Sequence, residues 1–202
     1  MAEHYQMKAT LKEKNEVDSK AKELFERSEI ELKMIPNPYK AMANAPEILM
    51  AYIEGDKNFR ENSGFTASEQ EVILLTLSNE NGCEYCMAAH STMADFYSNV
   101  PPEVTNAIRE DKPIEDNKLN ALAVMTREML LSRGRPKPSV VEDFLNAGYS
   151  ETNLLDIILP ISVKTLSNYT NHLFNTPVDK AFKAREFKVV QFAARVLKHF
   201  RK

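Results

Sequence analysis

Thr66-Ala67-Ser68-Glu69-Gln70-Glu71-Val72-Ile73-Leu74-Leu75-Thr76-Leu77-Ser78-Asn79-Glu80-Asn81-Gly82-Cys83-Glu84-Tyr85-Cys86-Met87-Ala88-Ala89-His90 reads as two helices joined by a tight turn. Two overlapping capping boxes open it, Thr66 with Glu69 or Ser68 with Glu71, each able to satisfy free N–H groups of a first helical turn. The apolar run over 72–77 demands burial, and Asn81-Gly82 matches a helix stop. Cys83 then lies at or beside the start of a second helix that continues through His90 to about residue 97. At roughly 100° per residue, positions 83, 86 and 90 fall within about 60° of one another, so both thiols and the imidazole share one face. If the two helices fold back on each other, residues equidistant from the turn lie side by side, which sets Glu71 level with about Thr92 and near His90.

The rest of the chain repeats the helical pattern. Val17, Ala21, Leu24, Phe25, Ser28 and Leu32 stripe an amphipathic helix ending near Ile35-Pro36, and Pro36-Asn37-Pro38 is a stop. Residues 39–53 follow as one or two short helices interrupted at Pro46, and 55–64 reads as a polar loop. Pro101-Pro102-Glu103 opens a short helix, 115–132 carries a repeating apolar face, and 140–146 is a shorter helix closed by Gly148. Ser150-Glu151 starts another, with Pro160 a break before a further helix to about residue 174. Phe182, Val189, Ala193, Val196, Leu197 and Phe200 stripe a last one. With five glycines and few β-branched residues alternating with polar ones, strands have little support. The expected class is all-α.

A shift of 82 residues lays Ser68-Glu69 on Ser150-Glu151, His90 on His172, and Val72, Ile73 and Leu77 on Leu154, Leu155 and Leu159. It lays Cys83 on Thr165 and Cys86 on Asn168. The expected organisation is therefore two similar helical halves of which the first retains thiols. Residues 1–38 form an N-terminal amphipathic arm, 39–112 the first half with the Cys-x-x-Cys site, and 113–202 the second half with the C-terminal helix, all in one compact domain.

A length of 202 residues supports a core without disulfide staples, which frees the two cysteines for chemistry. The net charge of -3 and the dispersed lysines argue against a nucleic-acid surface. The polar first 14 residues lack a signal-peptide core, and the longest apolar candidate, 154–163, is interrupted by Asp156, Pro160 and Ser162, so no membrane span is expected. The expected setting is cytoplasmic, where a vicinal cysteine pair is more often catalytic or metal-binding than structural.

The spacing suits redox chemistry. A thiolate is the nucleophile, and a free thiol with a pKa near ~8.5 is mostly protonated at neutral pH. A base and the positive end of a helix both lower that value. Once one sulfur is oxidised to a sulfenic acid, a second cysteine one turn away condenses with it before over-oxidation. The helix dipole favours Cys83 as attacker, whereas the four-residue spacing to His90 favours Cys86. Glu71 and His90 suit a carboxylate–imidazole pair that fixes one tautomer.

Glu71, eleven residues, then Cys83-x-x-Cys86-x-x-x-His90 resembles the active-site signature of the alkylhydroperoxidase AhpD-like branch of the carboxymuconolactone decarboxylase family. Residues 164–173, with Thr176-Pro177-Val178-Asp179, resemble its peroxidase-related members. The resemblance implies an all-helical fold, homo-oligomers, and thiol peroxidase or disulfide reductase activity with no metal and no cofactor. It gives Cys86 the attack on a peroxide, Cys83 the resolving step, and Glu71 and His90 the protons. The pattern departs at Tyr85, where the best-known members have a histidine.

The expected function is thus reduction of organic or hydrogen peroxides, with an external dithiol or protein reductant as partner. The alternatives are a lactone decarboxylase, known in the same family but without need of paired thiols, and an oligomeric redox sensor that is oxidised once without turnover. Zinc on the thiols, His90 and Glu71 is disfavoured because structural zinc usually draws its ligands from knuckles. Tyr85 faces away from the thiols and is read as packing. His172 is read as structural or as part of the site's rim.

Overall fold

The computed structural model describes residues 4–186, with side chains described to residue 183. In chain order the helices are α1 (Ser19–Leu32), α2 (Asn37–Met42), α3 (Pro46–Asn62), α4 (Ala67–Glu80), α5 (Glu84–Phe96), α6 (Pro102–Arg109), α7 (Asn117–Leu131), α8 (Pro138–Asn146) and α9 (Glu151–Phe174), followed by a 3-10 turn over Lys180–Glu186. No strand occurs among the described residues, so the all-α expectation holds. None of these helices is long and apolar enough to cross a membrane.

A helix buried on every side must be surrounded by others. Such is α4, buried without interruption from Glu69 to Ser78. Around it pack α5, α6, α7 and α9. Its residues Val72, Ile73, Leu74, Leu75 and Leu77 form the main core with Leu122 and Met125 of α7 and Phe144 of α8. A second cluster joins α1, α2 and α3 through Ala21, Phe25, Met42, Leu49 and Ile53.

Local chemistry sets the boundaries. Asp18 caps α1 by accepting from Ala21 N, and Asp116 caps α7 by accepting from Leu119 N. Proline stands in the first turn of α2, α3, α6 and α8, where its missing N–H costs nothing. Of the two capping boxes offered for α4, the structure uses Thr66 with Glu69, which leaves Glu71 free for other partners.

Three readings are corrected. Pro36-Asn37-Pro38 is a start rather than a stop: α1 already ends at Leu32 with a left-handed Lys33, and the tripeptide opens α2. The loop expected over 55–64 is helical to Asn62, because Phe59 is drawn into the core and Gly55 sits where α9 passes. A Cβ at Gly55 would lie 2.8 Å from Val163 Cγ2, so only glycine allows that approach. Pro160 does not break α9. It is buried, as are Ile157 and Val163 on the same helix, and packing offsets the roughly 3 kcal/mol that an interior proline costs. At the 82-residue offset the two segments therefore differ, with α9 continuous where α4 and α5 turn. Within the expected C-terminal helix, Phe182 lies in the 3-10 turn and packs near Tyr85, while Val189, Ala193, Val196, Leu197 and Phe200 lie outside the described residues.

Candidate active site

The turn between α4 and α5 positions the first sulfur. Gly82 adopts φ +63, a left-handed conformation that glycine takes without strain. Gly82 N donates to Asn79 O and Cys83 N to Ser78 O, the paired bonds of a Schellman stop. Cys83 is consequently the last bonded residue of one helix's exit and the N-cap of the next. Cys86 follows one turn into α5, and both sulfurs are buried, Cys83 at 1% and Cys86 at 4% exposure.

Sequence reasoning expected Glu71 to approach His90, and Glu71 Oε2 lies 3.0 Å from His90 Nδ1. Glu71 is fully buried, and its other oxygen forms an ion pair with Arg60 Nη1 of α3 at 2.6 Å. Burial favours the neutral acid, yet the charge and hydrogen bond of His90, with Arg60 behind them, hold this carboxyl below the usual range. Glu71 Oε2 is therefore placed to accept the proton on Nδ1, which leaves Nε2 for a partner from α9.

Sequence reasoning missed Arg60 and, from α9, two further groups. Lys164, 1% exposed on α9, places Nζ 2.8 Å from His90 Nε2. Asn171, two turns further along the same helix, directs Nδ2 at both sulfurs, 3.6 Å from Cys83 and 3.4 Å from Cys86. Asn168 between them accepts from Asn81 Nδ2 at 2.9 Å, which ties the cysteine turn to α9. The available signal was the face formed by 160, 163, 164, 167, 168 and 171, at helical spacing and free of carboxylates.

The two thiols divide one proton unequally. A hydrogen bond from Cys83 lowers the Cys86 pKa well below the ordinary thiol value; burial opposes this, and Lys164 and His90 reinforce it. The same hydrogen bond, together with burial, pushes Cys83 up. Of the two, Cys86 is the sulfur whose surroundings favour the thiolate and Cys83 the one they keep protonated. This separates the two sulfurs, which spacing and dipole arguments left level.

An open cleft of about 900 Å³ reaches the site from outside, lined by Cys83, Tyr85, Asn171, His172, Thr176 and Tyr5 among others. Cys83 lines it and Cys86 lies behind. His172 is exposed at this rim and stacks on Tyr169 at 6.4 Å. Tyr85 is buried, donates to Asp179 Oδ2 at 2.6 Å and meets Phe182 edge-on. Asp179 Oδ2 also accepts from Asn37 N, so one carboxylate joins α5 to the start of α2. No group of three or more His, Cys, Asp or Glu among the described residues is arranged to hold a metal ion, and both ring nitrogens of His90 are already engaged.

No family model matches the chain, and no curated protein matches it. Solved structures do. The chain superposes with a TM-score of 0.73 on the alkylhydroperoxidase AhpD core of an uncharacterized peroxidase-related protein from Ralstonia eutropha JMP134, at 17% identity over 89% of this chain and 96% of that one. An uncharacterized peroxidase-related protein from Silicibacter sp. TM1040 gives a TM-score of 0.70 at 18% identity, covering 88% and 93%. The debrominase Bmp8 gives 0.67 at 18% identity, covering 82% and 89%. A cysteine-to-alanine variant of that debrominase is solved in complex with 2,3,4-tribromopyrrole. At such low identity the likeness is one of fold, and this chain has the AhpD-like fold.

Proposed function

We propose that the protein is a thiol-dependent peroxidase that reduces organic or hydrogen peroxides through a Cys83–Cys86 disulfide cycle. The observation that carries this reading is the pair of buried cysteines one helical turn apart, both reached by Asn171 Nδ2, with a carboxylate–imidazole pair on the same hairpin. Cys86 attacks the terminal peroxide oxygen; the O–O bond breaks, one proton goes to the departing alkoxide, and Cys86 becomes a sulfenic acid. Cys83 then attacks that sulfur, a disulfide forms and water leaves. An external dithiol restores both thiols. The attack on the disulfide falls on Cys83, which lines the cleft, and expels Cys86, the better leaving group because its thiolate is the more stabilised.

The test is dithiol-dependent consumption of an organic hydroperoxide by the purified protein. Cys83→Ser and Cys86→Ser should each abolish turnover while helicity is unchanged. Full turnover by the double variant overturns the proposal, and a single stoichiometric oxidation without turnover favours the redox-sensor alternative.

One observation supports a second reading, reductive dehalogenation, namely the likeness to a debrominase solved with a brominated pyrrole. The same two thiols supply the two electrons that replace a carbon–bromine bond by carbon–hydrogen, with release of bromide and formation of the disulfide. Bromide release from a brominated pyrrole separates the two. Exposed Leu155, Ile158, Tyr169 and Leu173 along α9 support association of copies of this chain, which light scattering measures.

A further inference from the structure

Lys164 is one of the largest fully buried side chains, and no carboxylate among the described residues forms an ion pair with it. A buried ammonium without an anion is unfavourable, so its counter-ion has to come from what touches it. Two groups answer: His90, whose Nε2 lies 2.8 Å away, and Cys86, whose thiol the Lys164 charge lowers and whose sulfur lies 3.4 Å from Asn171 on the same helix as Lys164. His90 Nδ1 donates its proton to ionised Glu71, and Nε2 faces an ammonium. A proton on both Nε2 and every Nζ position would set donor against donor, so the His90–Lys164 pair holds one shared proton. The groups that act on it are Glu71 of α4 through His90, Cys86 of α5 and Cys83 at the N-cap of that helix. Arg60 is already matched by Glu71 at 2.6 Å and by Asp56 at 3.9 Å, which leaves the Cys86 sulfur as the group that can match Lys164.

From this arrangement we infer that Lys164 is a catalytic residue, the counter-ion of the Cys86 thiolate and the carrier of the single proton that the redox cycle consumes and returns. The inference rests on the peroxidase reading for its second half; for its first it rests on the burial of Lys164 with no carboxylate partner among the described residues and its contact to His90, one turn from Cys86. The balance is Cys86–S⁻ + Cys83–SH + Lys164–NH3⁺ + ROOH giving the disulfide, ROH, water and Lys164–NH2. The thiolate and the ammonium lose their charges in the same turnover, so no unpaired charge is left in the core. An incoming dithiol carries two hydrogens; one returns to Cys83 and the other, as a proton, to Lys164, while its own sulfurs are oxidised to a disulfide.

Charge and proton separate experimentally. In a Cys83→Ser background, whose hydroxyl still donates to Cys86, the thiolate ultraviolet band is titrated for Lys164, Lys164→Met and Lys164→Arg. Methionine should abolish the band at neutral pH; arginine should keep it, because its charge remains. Arginine releases no proton in this range, so sulfenic acid formation should slow by about 100-fold or more, the usual size of a general-acid contribution. A band that survives in Lys164→Met, or a wild-type rate in Lys164→Arg, overturns the assignment. Should either variant fail to fold, the wild type decides: one equivalent of peroxide in weakly buffered solution should bleach the thiolate band without proton uptake. Uptake of one proton per disulfide overturns it. A protein whose band depends on Lys164 but which turns over no peroxide refutes the peroxidase reading and leaves the counter-ion in place.

Discussion

Glu71→Gln tests the buried charge chain from its centre. The carboxylate is fully buried, 2.6 Å from Arg60 Nη1 and 3.0 Å from His90 Nδ1. Glutamine keeps the shape but presents one oxygen and one NH2 where two acceptors are needed. With its nitrogen toward Arg60, two donors meet. Turned the other way, it forces His90 to move its proton to Nε2, against Lys164. Removing one partner of a buried pair costs about 3–5 kcal/mol. The Arg60 side chain is 25% exposed, so water takes over part of its solvation and the low end, about 3 kcal/mol, applies. For a urea m value of about 2–3 kcal/mol/M the unfolding midpoint should fall by about 1–1.5 M.

The pH dependence has a defined sign. Glu71 is lowered in the folded state, so its stabilisation is complete above the unfolded value near ~4.3 and is lost as pH falls through the lower folded value. Wild-type and variant midpoints should therefore differ most at neutral pH and converge in acid. Other carboxylates titrate in both proteins and cancel in the difference. A Glu71→Gln midpoint within about 0.2 M of wild type at neutral pH, or a deficit that stays constant into acid, would refute the reasoning.

Gly55→Ala sets helix propensity, a gain of about 1 kcal/mol, against a Cβ at 2.8 Å from Val163 Cγ2, an overpacking cost of about 1–3 kcal/mol. Urea unfolding should show a net loss that disappears when Val163→Ala is added; a plain gain in the single variant would contradict the close approach. Tyr85→Phe removes the 2.6 Å bond to Asp179 and keeps the ring, a loss of about 1.5–3 kcal/mol. It should raise hydrogen exchange in residues 176–182 while α4 stays protected, and unchanged exchange there would argue that the bond does not hold the segment.

The parts of the fold that were legible are those set by local chemistry. Thr66 with Glu69, the run over 72–77 and Asn81-Gly82 specify a capped helix, its burial and its stop within one continuous stretch, and the α4–α5 turn forms as they direct. What could not be read depends on neighbours distant in sequence. Gly55 looks like a loop residue until α9 passes against it, and Pro160 looks like a break until both its flanks are packed. The same division runs through the site. Cys83, Cys86, His90 and Glu71 follow from one hairpin, whereas Arg60 comes from α3 and Lys164 from α9. A lone lysine in a helix is nearly always a solvated residue, and only the polar, carboxylate-free face it shares with Ser167, Asn168 and Asn171 distinguishes it.

That face explains why α9 has to be continuous. Lys164, Asn168 and Asn171 lie at i, i+4 and i+7, spanning about 10 Å of one helical ridge. Each reaches a different part of the cysteine hairpin: the imidazole, the Asn81 turn and the two sulfurs. The turn at Asn81-Gly82 is needed in the first segment because it creates the N-cap on which Cys83 sits. The same turn placed at the matching position of the second segment would fall at residues 163–164 and send Lys164 away from Asn171. The two segments divide the work: one bends to present the sulfurs, and the other stays straight to present the groups that reach them. Pro160, one turn before Lys164, is the position where that straightness is most at risk, and its burial against the core keeps the ridge in register.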